Sequence, residues 1–127
     1  MGQGLLADQL PGWRVQSAGL GALVGEPADE IAVRLMQERG IDITGHRAAQ
    51  ITRKMCAESD LVFVMSREQR REVERLYPEM CGRVFRIAEH ADRDVPDPYR
   101  LPEEEFRHAL KLIDDGVASW VQRIRRL

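Results

Sequence analysis

The chain has 127 residues, the size of one domain, and its 43% hydrophobic and 31% charged residues are an ordinary soluble balance that needs no disulfide or metal to build a core. A formal charge of −2 argues against a broad nucleic-acid footprint, and no apolar run reaches the ~20 residues of a membrane span. Two cysteines, Cys56 and Cys81, fit a reducing compartment better than a disulfide framework, and the first residues lack the basic-then-apolar pattern of a secretory signal. The expectation is a cytoplasmic protein with neither nucleic acid nor membrane as partner.

Residues 1–10 read as a short amphipathic helix that stops before Pro11-Gly12. Trp13 to Ser17 alternates and is β-rich, which predicts a strand. Gly19, Gly21 and Gly25 mark a loop. A helix follows at about 28–39, with Ile31, Leu35 and Met36 on one face and Gly40 as its stop. Residues 41–52 are mixed, with a short helix after Thr52. Leu61 to Met65 is a continuous apolar run, the pattern of a strand covered on both faces. Ser66 with Gln69 three residues on is a capping-box pattern that opens a helix ending near Tyr77-Pro78. Arg83 to Ile87 is a shorter strand, and 91–101 a loop rich in Pro and Asp. Beyond Pro102, Glu103, Glu104 and Glu105 fill a helix first turn. Phe106, Leu110, Ile113, Val117, Trp120, Val121 and Ile124 then make one apolar stripe. Arg123, Arg125 and Arg126 fit a solvated last turn. Helices alternating with strands predict an α/β three-layer sandwich around a small parallel sheet, in a single domain spanning 1–127. Three strands are few for such a sheet.

The glycine loop after the first strand lacks the dinucleotide fingerprint, because Val24 stands at its sixth position. A cysteine phosphatase needs Cys-x5-Arg, in which backbone N–H groups and the arginine hold phosphate while a helix N-terminus lowers the thiol pKa. Six residues after Cys56 is Val62, and six after Cys81 is Ile87, so both cysteines read as structural thiols. His46, His90 and His108 lack metal-ligand spacing, and neither a metal nor an organic cofactor is called for. Val95-Pro96-Asp97-Pro98-Tyr99-Arg100 is the most specific segment. Its two prolines stiffen the chain around Asp97, which suits a general acid held within reach of a leaving-group oxygen. Taken alone, Asp-Pro is also ordinary turn chemistry.

Four segments occur together in one order: Ser17 to Gly25, Gly40 to Ile51, Asp60 to Met65, and Asp97-Pro98-Tyr99. Together they resemble the low-molecular-weight protein tyrosine phosphatases, above all the bacterial branch that accompanies exopolysaccharide tyrosine autokinases. The resemblance covers essentially the whole chain and implies hydrolysis of phosphotyrosine proteins through a phosphocysteine. It makes Asp97 the general acid and Tyr99 a wall of the ring pocket. Leu23 falls near another wall position, where the family commonly has an aromatic, and Ala49 stands where relatives usually have Arg. Ser17 and His46 match the residues that hold the asparagine of the phosphate loop. The implied partner is a phosphotyrosine protein, with a bacterial tyrosine autokinase as candidate.

That family opens with a buried central strand running into Cys-x-Gly-Asn-x-Cys-Arg-Ser-Pro. Here Met1 falls just after the position of that Ser-Pro, so the expectation is a four-stranded fold lacking its first, central strand and the nucleophile loop. The 127 residues would then lack turnover, and the bare sheet edges would favour self-association. Three readings stay open: a phosphatase whose start has been set at an internal methionine, a shortened inactive relative that binds without catalysis, and an unrelated α/β binding module.

Overall fold

The computed structural model describes residues 1–21 and 23–126; Ala22 of the glycine loop and Leu127 lie outside the described residues. Among the described residues, three α-helices, α1 (Gly2–Gln9), α2 (Glu30–Gln37) and α3 (Arg53–Ala57), precede strand β1 (Val62–Val64); α4 (Arg67–Leu76) leads to strand β2 (Val84–Arg86), and α5 (Glu103–Arg125) follows. The strands pair in parallel, Val62 with Val84 and Val64 with Arg86.

The alternation of side chains along a strand divides the core into two layers. On one face, Leu61, Phe63, Met65, Phe85 and Ile87 pack with α1, α2 and the apolar stripe of α5. On the other, Val62, Val64 and Val84 meet Cys56 of α3, Val73 of α4 and Met80. The molecule is therefore the expected helix–sheet–helix sandwich, and the Leu61–Met65 run is apolar throughout because both of its faces are covered.

The helix boundaries follow from local chemistry. Asp29 caps α2 by accepting the Ile31 N–H at 2.8 Å, and Thr52 caps α3 by accepting that of Met55 at 3.2 Å. Ser66 accepts the Gln69 N–H at 3.2 Å, while the Gln69 side chain accepts the N–H of Met65 at 2.8 Å. The capping box thus closes one residue earlier than its usual form and ties the end of β1 to the start of α4. Helix α5 lies against the end of β2. A Cβ on Gly116 would stand 2.2 Å from the Ile87 carbonyl oxygen, so only glycine permits this approach. One turn on, Trp120 sits between Phe63 and Phe85, with ring centroids 4.9 and 5.2 Å away. Its indole N–H donates to the carbonyls of Arg86 and Ile87, each at 3.2 Å.

Trp13 to Ser17 departs from the expected strand. It forms no ladder, and the region touches sheet geometry only at an isolated parallel bridge between Gly19 and Gln50. Among the described residues, Arg14 to Ala18 make no backbone–backbone hydrogen bond. The Val15 carbonyl instead accepts from the Gln3 side chain at 3.2 Å. An extended segment becomes a strand only beside a partner, and among the described residues no strand adjoins it.

Candidate active site

In a parallel α/β sheet the chemistry gathers beyond the carboxyl ends of the strands. Met65 ends the β1 run, and its carbonyl accepts the Val95 N–H at 2.8 Å. That bond pins the loop carrying Asp97 to the sheet, two residues before the acid. On the other side, Gly2 lies so close to Met65 that an added Cβ would be 3.4 Å from its methyl group. The N-terminus of α1, the end of β1 and the Asp97 loop are thereby linked by direct contacts.

Asp97 is exposed, and its Oδ1 accepts the Tyr99 N–H at 3.0 Å. This local turn, with prolines on both sides, fixes the carboxylate on the loop. The Leu101 N–H then closes a turn onto the Pro98 carbonyl at 2.8 Å. Arg100 takes the left-handed conformation there, with φ 63°. Its guanidinium lies over the Tyr99 ring, 5.2 Å from the centroid. Tyr99 is 55% exposed.

The residues matched to the loop-asparagine holders both face the start of α1. The Ser17 hydroxyl donates to Gln3 Oε1 at 2.8 Å. His46 is held below its ordinary pKa by burial first, and then by the positive Met1 amino group and Arg47. Burial likewise lowers the pKa of the Met1 amine. Leu23 is 68% exposed, on the loop before α2.

Sequence reasoning missed the anchor of the acid loop. Arg86, only 3% exposed, leaves the β2 strand to meet three carboxylates. It donates to Glu89 at 3.2 Å, to Asp94 at 3.1 Å, and to Asp92. Arg67 adds a bond from its side chain to Asp92 at 2.7 Å and from its N–H to Asp94 at 3.1 Å. These contacts raise the guanidinium pKa and hold all three carboxyls below their ordinary range, the Arg86 hydrogen bond being the largest cause in each. The available signal was a charged residue inside an apolar strand, with three acids within the next eight positions.

Neither cysteine is at this end of the molecule. Cys56 lies in α3 ahead of β1, and Cys81 precedes β2. Burial raises the Cys56 thiol pKa, and a hydrogen bond to Glu74 raises that of Cys81. Both shifts work against a thiolate. Among the described residues no cluster of acids, histidines and cysteines could hold a metal ion, and no helix is long and apolar enough to cross a membrane.

Comparison with known proteins agrees with this fold. Residues 3–127 match the family described as low molecular weight phosphotyrosine protein phosphatase. The probable low molecular weight protein-tyrosine-phosphatase EpsP of Ralstonia nicotianae is 46% identical over 127 residues, covering 100% of this chain and 88% of the relative. The low molecular weight protein-tyrosine-phosphatase Wzb of Escherichia coli is 38% identical, over 94% of this chain and 82% of its own. Among solved structures, Vibrio vulnificus Wzb in complex with benzylphosphonate superposes with a TM-score of 0.92 at 33% identity, covering 96% of this chain and 87% of that one. With the sandwich and these relatives in agreement, the chain belongs to the low molecular weight protein tyrosine phosphatase family.

Proposed function

We propose that this chain carries the acid-bearing part of a phosphotyrosine phosphatase site, with Asp97 as general acid and the Tyr99 ring as one wall of the pocket. The observation that carries the reading is the Pro-Asp-Pro loop, fastened to the carboxyl end of β1 through Val95 and Met65, beside the start of α1. A thiolate presented at that helix start would attack phosphorus and form an S–P bond. The tyrosine C–O–P linkage would break at the O–P bond, with the Asp97 proton passing to the departing phenolate. Asp97 would then take a proton from water as the water's oxygen attacks the phosphocysteine, releasing phosphate and the thiolate. Ser17 and His46 would steady the loop bearing the thiol, from their positions facing α1. Leu23 would border the substrate ring. The substrate class is a phosphotyrosine protein, and a bacterial tyrosine autokinase is the candidate partner.

Neither Cys56 nor Cys81 supplies Cys-x5-Arg, so the 127 residues by themselves are expected to release no phosphate from p-nitrophenyl phosphate above the buffer rate. The same residues linked behind an apolar strand and a Cys-x-Gly-Asn-x-Cys-Arg-Ser-Pro loop are expected to turn over. In that linked protein, Asp97→Asn should lower kcat by about 10²–10⁴-fold, the usual worth of a general acid. Turnover by the 127 residues alone, abolished by Asp97→Asn, would sink the proposal. So would a linked, folded and active protein indifferent to Asp97→Asn.

A further inference from the structure

Only Val95 and Pro96 stand between Asp97 and Asp94, and Asp94 is where two elements meet. Its Oδ1 accepts from the Arg86 guanidinium of β2 and from the backbone N–H of Arg67, the first residue of α4, each at 3.1 Å. The next residue, Val95, donates its N–H to the Met65 carbonyl at 2.8 Å. Two consecutive residues are thus tied to β2, to the start of α4 and to the end of the β1 run, immediately ahead of Pro96, whose ring fixes its φ. Among the described residues, the Asp97 carboxylate accepts only the Tyr99 N–H, a contact inside its own turn that does not tie it to the sheet.

A half-exposed carboxylate on a loop is ordinarily a weak anchor, because a surface ion pair immobilises two mobile side chains for little Coulomb gain. The partner of Asp94 changes that balance. Arg86 is only 3% exposed, and its Nε and Nη2 meet the two oxygens of Glu89 at 3.2 Å each. That fork sets the plane of the guanidinium, so Nη1 is already aimed at the loop. Asp92 accepts from both Arg86 and Arg67, which keeps the two cations side by side. We propose that Arg86, acting through Asp94, is a positioning residue for Asp97, which holds the acid where a leaving-group oxygen takes its proton. The inference rests on Asp97 being the general acid. Proton transfer needs hydrogen-bond reach, so a slack loop loses rate well before it loses structure.

In the 127-residue chain, Asp94→Ala should speed hydrogen exchange of the Val95 amide by about tenfold, the effect of losing roughly one anchoring hydrogen bond. The Ile87 amide, bonded to the Val64 carbonyl at 2.8 Å, should keep its rate. Unchanged exchange at Val95 would overturn the proposal, since the Met65 bond would then hold the loop unaided. In the linked protein bearing the strand and Cys-x5-Arg loop, Asp94→Ala should lower kcat for phenyl phosphate by about tenfold or more, because a displacement of about 1 Å spoils proton transfer. In the Asp97→Asn background the same substitution should cost less than about twofold, because no acid is left to place. Arg86→Met should repeat both results. Equal losses in the two backgrounds would overturn the proposal by making the cluster a stabilising one only, and an undiminished kcat in Asp94→Ala would do the same. Either result leaves the general-acid reading standing. An Asp97→Asn variant as fast as its parent would overturn both.

Discussion

At Asp97, neighbouring residues decide how a common side chain is held. The carboxylate takes the Tyr99 N–H at 3.0 Å, and the prolines on either side remove most of the freedom left to the loop. The loop is fastened in turn by Arg86, which gathers Glu89, Asp92 and Asp94. That anchorage has a pH signature. The three carboxyls titrate below their ordinary values in the folded chain, so their contribution is complete above about pH 5 and is lost as pH falls through the lowered values. Acid titration of the native chain followed by near-ultraviolet circular dichroism should therefore show stability falling below about pH 5. In Arg86→Met the protein should melt lower at pH 7 and show a flatter decline in acid. An equally steep acid limb in that variant would remove Arg86 as its cause. Asp97 was legible in the sequence because prolines flank it and the family motif contains it. Arg86 was not, because its partners come from a loop whose path only the tertiary fold defines.

Among the elements, α5 was the most legible and the Trp13–Ser17 segment the least. The α5 stripe from Phe106 to Ile124 is buried throughout, as its spacing requires. Periodicity did not mark Gly116, which sits on the buried face as the point where helix and sheet nearly touch. Gly116→Ala places a methyl group against the Ile87 carbonyl, and overpacking of this kind costs about 1–3 kcal/mol. Urea unfolding should show a loss in that range, and an unchanged midpoint would mean that α5 can shift away at no cost. Trp13 to Ser17 has the composition of a strand, yet composition cannot supply a neighbour. Among the described residues, Arg14 to Ala18 make no backbone–backbone hydrogen bond, and the Val15 carbonyl accepts from the Gln3 side chain. The local sequence encodes an extended shape, while the ladder depends on what lies alongside.

For the whole molecule, the two-layered core explains how a short two-stranded sheet is held. Leu35, Met36, Ile87 and Val117 fill one layer, and Val73, Met80 and Val84 the other, all essentially without exposure. The candidate site lies at the carboxyl end of the strands. The chemistry itself is tested most directly by leaving-group dependence. In the linked protein bearing the strand and Cys-x5-Arg loop, kcat for phenyl phosphate should be compared with that for p-nitrophenyl phosphate, with and without Asp97→Asn. The phenolate of phenyl phosphate is about as basic as that of tyrosine and needs a proton to leave, whereas p-nitrophenolate needs it far less. The account predicts that Asp97→Asn slows phenyl phosphate at least about tenfold more than p-nitrophenyl phosphate. Equal slowing of both substrates would contradict it, because Asp97 would then act on something other than the departing oxygen.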